Sequence, residues 1–164
     1  MLQVKDSNRK YNRLGRCMGH TGHVTHLDWS LDSQYLRTNS AELELLFWSA
    51  ATCRPVRDPD TIREMAWATT DCPVSWDTLG VWGEGPDSPD VGATSRNAER
   101  ELLAAGDTLG RVRLYSFPAS QPKSLCHTYT GHSGQVTRVA WMTDSSKLIS
   151  VGGKDAALLQ WNIV

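Results

Sequence analysis

Apolar and polar positions alternate in short bursts along this chain, and the bursts recur. Three segments share an apolar-x-x-apolar-x-Trp pattern: Val24, Leu27, Trp29; Ile62, Met65, Trp67; and Val136, Val139, Trp141. Such spacing predicts a strand with one buried face. Each is followed by a stretch of 14 residues: Tyr35 to Trp48, Leu102 to Tyr115 and Leu148 to Trp161. These stretches align without gaps as two apolar residues, turn formers, then an apolar run ending in an aromatic. Asn39-Ser40, Gly106-Asp107 and Gly152-Gly153 take the turn positions, where residues tolerant of positive φ close a hairpin. Each unit therefore reads as strand, turn, strand, turn, strand. Ala98 to Ala105 has helical spacing for about two turns, but the repeat predicts strand entry there.

A unit this small cannot bury its apolar face alone and must stack on its neighbours. Short antiparallel strands recurring every 40-odd residues predict propeller blades rather than a sandwich. The predicted class is all-β: a partial propeller of about three blades plus a strand of a preceding blade. Three blades cannot close a ring, since propellers use about 4 to 8. Open blade faces and edges then imply a fragment, an isoform that leans on a partner, or a chain that oligomerises.

Composition narrows the role. The 164 residues are 40% hydrophobic and 21% charged, with net charge −1, which gives no overall attraction to nucleic acid or an anionic membrane. There is no apolar run of membrane-spanning length and no signal-peptide pattern at the start. Cys17, Cys53, Cys72 and Cys126 lack CxxC spacing and read as reduced thiols in a cytosolic protein.

Gly19-His20 and Gly131-His132 open two of the units, with 28 residues from His20 to Trp48 and 29 from His132 to Trp161. The stretch GHSGQVTRVAWMTDSSKLISVGGKDAALLQW resembles a WD repeat from end to end. That resemblance implies a buried hydrogen-bonded chain of His, turn Asp, strand hydroxyl and Trp. In the third unit His132, Asp155 and Trp161 take three of the places, and the alignment puts Val151, beside Ser150, in the hydroxyl place. In the first unit His20, Thr38 and Trp48 match, with Glu42 standing for Asp. The middle unit lacks Gly-His and has Leu109 in the Asp place. No unit ends in Trp-Asp, so these blades are atypical.

The runs Gly15 to Ser40, Leu79 to Asp90 (LGVWGEGPDSPD), LGRVRLYSFP and LISVGGKDAALLQW are similar to the echinoderm microtubule-associated protein-like family. The likeness covers nearly the whole chain, in order. It implies the closing blades of the second of two fused WD40-type β-propellers, without the family's coiled coil or the hydrophobic motif of its first propeller. It further implies tubulin or microtubules as partners, other proteins besides, and a cytoplasmic, cytoskeletal location.

By this reading residues 1–18 are the last strand and exit loop of a preceding blade. Blades follow at 19–52, 53–118 and 126–164, with 119–125 as a linker. The middle blade holds an acidic insertion over 68–98, net −4, with Trp76 and Trp82 among its residues. Long loops of this kind are functional or disordered, and Trp82, Glu84, Asp87 and Asp90 form one candidate protein-binding set. The basic segment, net +4 over 1–18 and including Arg9, Lys10 and Arg13, forms another, suited to an anionic partner.

Sharper chemistry finds little support. His20, His23 and His26 alternate faces on a strand, which prevents a compact metal set. Asp87 and Asp90 lack the EF-hand spacing. There is no Gly-x-Ser-x-Gly, His-Glu-x-x-His or phosphate-binding glycine loop, so no catalytic residue, metal or cofactor is assigned. The role is read as a non-catalytic scaffold segment. The alternatives are a general adaptor in signalling or ubiquitin-ligase assembly, or a truncated isoform without autonomous function.

Overall fold

The computed structural model describes residues 2–5, 10–63, 65–85 and 88–163. It divides into two compact units, Met1–Ala68 and Thr69–Val164. In both, antiparallel sheet accounts for nearly all regular structure, with one short helix and one 3-10 turn as the exceptions among the described residues.

The first unit opens with a hairpin of β1 (Leu2–Lys5) and β2 (Lys10–Arg13). One strand was expected here, and two are present. A four-stranded sheet follows: β3 (Val24–Trp29), β4 (Tyr35–Ser40), β5 (Leu45–Ser49) and β6 (Pro55–Val56), in sequence order. A short helix, α1 (Pro59–Arg63), comes next. The predicted strand over Ile62, Met65 and Trp67 is therefore absent. Instead Trp67 bridges Ser30, and its ring lies against Phe47 and under the Arg37 guanidinium. Arg37 needs that cover, because it is buried with Asp28 as an ion pair of 2.8 Å.

The second unit begins with residues 69–90, which include the 3-10 turn Trp76–Val81. Its first sheet is β7 (Val91–Asn97), β8 (Leu102–Asp107), β9 (Arg111–Ser116) and β10 (Cys126–Thr130). Its second sheet is β11 (Val136–Trp141), β12 (Lys147–Gly152) and β13 (Leu158–Asn162). Two expectations change. The middle blade starts at Val91, within the expected insertion. The stretch 119–125 joins β9 to β10 of one sheet, so Cys126–Thr130 belongs to the middle blade rather than the third.

The three larger sheets share one register. Each first strand carries a bulge after its opening residue, at Val24/His26, Val91/Ala93 and Val136/Arg138. Thr38, Ala105 and Ser150 are then equivalent, as are Trp48, Tyr115 and Trp161. The hairpin turns fall beyond the dipeptides expected to make them, since Asn39, Gly106 and Gly152 still lie in strands. The left-handed residue is Leu43, Gly110 or Ala156, one equivalent position in all three blades. At Gly110 a side chain is also excluded by space, because a Cβ would sit 2.5 Å from the His132 carbonyl oxygen.

Each sheet has a leading face, which bears the Thr38, Ala105 or Ser150 position, and a trailing face. In the second unit Val136, Val139 and Leu148 on the leading face of the third blade pack on Ala93, Ala104 and Val112 of the middle blade. Burying aliphatic side chains of this size stabilises the pairing by about 1.5–3 kcal/mol each. The middle blade's own leading face, with Val91, Leu103 and Tyr115, is covered by Val81, Trp82 and Ala119.

Candidate functional site

Within the first blade a polar relay runs from strand to loop. The Trp48 indole N–H can only donate, and it reaches the Thr38 hydroxyl at 2.8 Å. Thr38 lies 2.6 Å from His20 Nε2, and His20 Nδ1 lies 2.9 Å from a Glu44 carboxylate oxygen. The one consistent proton assignment for a neutral imidazole has Thr38 donating to Nε2 and Nδ1–H donating to Glu44. Glu44 also accepts from the Ser40 hydroxyl at 2.7 Å and from the Thr21 N–H and hydroxyl. The Ser40 hydroxyl first, then His20 and Thr21, hold its carboxyl down to about 2. The acid is thus Glu44 rather than Glu42. Its extra reach compared with Asp lets it serve from the residue just before β5.

The third blade repeats the relay with different members. Trp161 donates to the Ser150 hydroxyl at 2.8 Å, Ser150 lies 2.8 Å from His132 Nε2, and His132 Nδ1 lies 2.9 Å from Asp155. The hydroxyl place is therefore held by Ser150, not Val151, and the chain of four groups is complete. Burial pushes the Asp155 carboxyl up, but bonds from the Ala157 N–H, His132 and the Ser133 N–H outweigh it and leave it below the usual range. The Ser150, His132 and Asp155 distances are those of a hydrolase triad. The nucleophile's requirements are not met, however. Ser150 is fully buried, and its oxygen already accepts from Trp161.

The middle blade solves the same turn without a histidine. Ala105 and Tyr115 take the hydroxyl and Trp places. Buried Asp107 accepts from the Leu109 and Arg111 N–H groups at 3.0 Å, and pairs with the Arg111 and Arg113 side chains at 2.7 and 3.5 Å. Sequence reasoning passed over Asp107 because it treated the residue as a turn former.

The two candidate binding sets separate. Trp82 is half-buried, packs against the core cluster that contains Val91, Leu103 and Tyr115, and donates to the Pro73 carbonyl at 2.8 Å. It anchors the insertion. Glu84 is exposed and pairs with Lys123 at 2.9 Å, and Asp90 is exposed. Trp76, by contrast, is 70% exposed beside exposed Leu79 on the 3-10 turn. Of the basic set, Arg13 is exposed at the end of β2, and Lys10 opens that strand. Arg9 and Asp87 lie outside the described residues. Among the described residues, no group of three or more His, Cys, Asp or Glu side chains could hold a metal ion, and no helix is long and apolar enough to cross a membrane.

A family model described as the echinoderm microtubule-associated protein second beta-propeller matches residues 1–163. Human echinoderm microtubule-associated protein-like 2 is 44% identical over 98% of this chain, which covers 25% of that protein. The 77 kDa echinoderm microtubule-associated protein of Strongylocentrotus purpuratus is 45% identical over 100% of this chain and 24% of its own length. The chain thus spans about a quarter of the curated relatives it matches. Among solved structures, the computationally designed Ika4 protein shares the fold at a TM-score of 0.61 and 17% identity, covering 93% of this chain and 99% of that one.

Proposed function

Because the chain belongs to the echinoderm microtubule-associated protein family, in the part that forms the second propeller, we propose that it is a non-catalytic scaffold segment offering tubulin or microtubules an interaction surface in the cytoplasmic cytoskeleton. The observation that carries this reading is the match over essentially the whole chain to proteins named as microtubule-associated. Two features of the chain support it. The triad-like set His132, Ser150 and Asp155 is engaged in a blade relay, which suits a scaffold. The segment around exposed Arg13 and Arg16 carries a net +4 and suits an anionic protein surface.

The test is co-sedimentation of the purified chain with polymerised tubulin, with unpolymerised tubulin examined by pulldown. Reversing Arg9, Lys10 and Arg13 to Glu should lower the bound fraction steeply, and more so at low salt. An unchanged bound fraction in both assays would remove the basic segment from the interface. No binding by the unaltered chain would remove the reading itself.

A second reading, a general protein-interaction adaptor, is favoured by Trp76 and Leu79. They offer an aromatic anchor that is apolar rather than charged. Trp76→Ala should then reduce capture of partners other than tubulin while leaving tubulin binding intact.

A further inference from the structure

Two of the four thiols meet inside the first unit. Cys17 lies on the stretch that runs from β2 to His20, and Cys53 lies in the turn between β5 and β6. The two thiols stand within hydrogen-bonding reach of each other. The approach is built in from both sides. Gly15 passes so close that a Cβ there would sit 2.6 Å from Cys53 Sγ and 3.0 Å from Cys53 Cβ, so this position excludes a side chain. Cys53 has a φ of 57°, in the left-handed region where glycine would be unstrained. Its N–H is tied to the Ser49 carbonyl at 2.8 Å. Cys53 is buried and Cys17 is half-buried, while Cys72 and Cys126 belong to the second unit.

We propose that Cys17 and Cys53 form a reversible redox site, a disulfide made by exchange with a low-molecular-weight disulfide such as oxidised glutathione, which fastens the arm over 14–20 to the first blade. Cys17, the more exposed of the two, attacks one sulfur of the small disulfide and releases one thiol. Cys53 then displaces the second thiol from the mixed disulfide. The cysteine pair loses two electrons and two protons, and the small disulfide is reduced to two thiols. Burial first, then the neighbouring Cys53, hold the Cys17 thiol above its ordinary value, so the first step is slow. The second is fast, because the attacking thiol is already in place.

The position of the pair gives the bond its consequence. Gly19 packs on Trp48, where a Cβ would lie 3.1 Å from the ring, and His20 links Thr38 to Glu44. With both thiols reduced, these contacts hold the arm. The disulfide adds a covalent anchor at the arm's other end and closes the loop that contains β3, β4 and β5, which constrains the unfolded chain.

The test incubates the full 164-residue chain with oxidised glutathione, blocks the remaining thiols, and digests with trypsin without reduction. The expected product joins the peptide over residues 17–37 to that over 38–54. Its formation should raise the unfolding midpoint by about 5 °C or more. It should also slow amide exchange over 14–20, and dithiothreitol should reverse both changes. Cys17→Ser, at the less buried position, should abolish the cross-link and the shift, while Cys126→Ser retains them. Oxidation that stops at a mixed disulfide on Cys17 would overturn the proposal. So would a Cys17–Cys53 cross-link that leaves midpoint and exchange unchanged. Because no tubulin is present, the outcome stands apart from the proposed function.

Discussion

The first and third blades share a register, a bulge and a four-group relay, yet they stand in different surroundings. Val139 is sealed beneath the middle blade while its counterpart Leu27 faces solvent. Ser150 is fully buried, whereas Thr38 in the same role is only partly so. The repeat thus sets which side chains point to the leading face, and the neighbouring element sets what those side chains are worth. Apolar content alone does not stabilise a sheet face; removal from water does.

Three measurements break or sharpen that comparison. Placing a carboxylate in the sealed face should have the largest effect: Val139→Asp should cost about 4 kcal/mol or more in denaturant unfolding. Leu27→Asp at the equivalent open position should stay within about 0.5 kcal/mol. Equal losses at the two sites would mean that the faces are covered alike. Next come the relay hydroxyls. Ser150→Ala strands the Trp161 N–H and His132 Nε2 in a dry setting and should cost about 1–3 kcal/mol, with Thr38→Ala toward the lower end of that range. The reverse order would show that burial does not grade the relay.

The smallest effect concerns acid. The Glu44 carboxyl titrates at about 2 in the folded chain, against an ordinary value of 4.5. Its contribution is therefore complete above pH 4.5 and is lost as pH falls from there toward 2. Glu44→Gln should flatten this part of the stability profile in chemical denaturation from pH 5 to 2. Asp155, also held below its ordinary range, should leave a residual slope from the third blade. A profile that Glu44→Gln leaves unchanged would take the first-blade relay out of the acid response.

The ends of each relay were legible in the sequence, since Gly-His and the closing Trp flank a unit of nearly fixed length. Its middle was less so. The third blade's second turn is one residue longer than the first blade's: Val151 pairs with Leu158, against Asn39 with Leu45. A gap-free alignment anchored at the Trp therefore slips by one residue and exchanges Ser150 for Val151. In a strand such a slip moves a side chain to the opposite face. Trp67 misled for another reason. The spacing of Ile62, Met65 and Trp67 is a local pattern that α1 and a single bridge satisfy equally well. The true opening strand, Val91–Asn97, carries Arg96 where its relatives carry Trp29 and Trp141, so the periodic marker is missing there. The division of Trp76 from Trp82, one exposed and one an anchor, depends on how residues 69–90 fold back, which no local pattern encodes.

The indole of Trp141 reaches outside its own sheet and donates to the Ser95 backbone carbonyl at 2.9 Å. Parting the third blade from the middle one would break this hydrogen bond while wetting the valines between them. Neither sheet can loosen first, so amide hydrogens on β7, β8, β11 and β12 should exchange together, as one cooperative block.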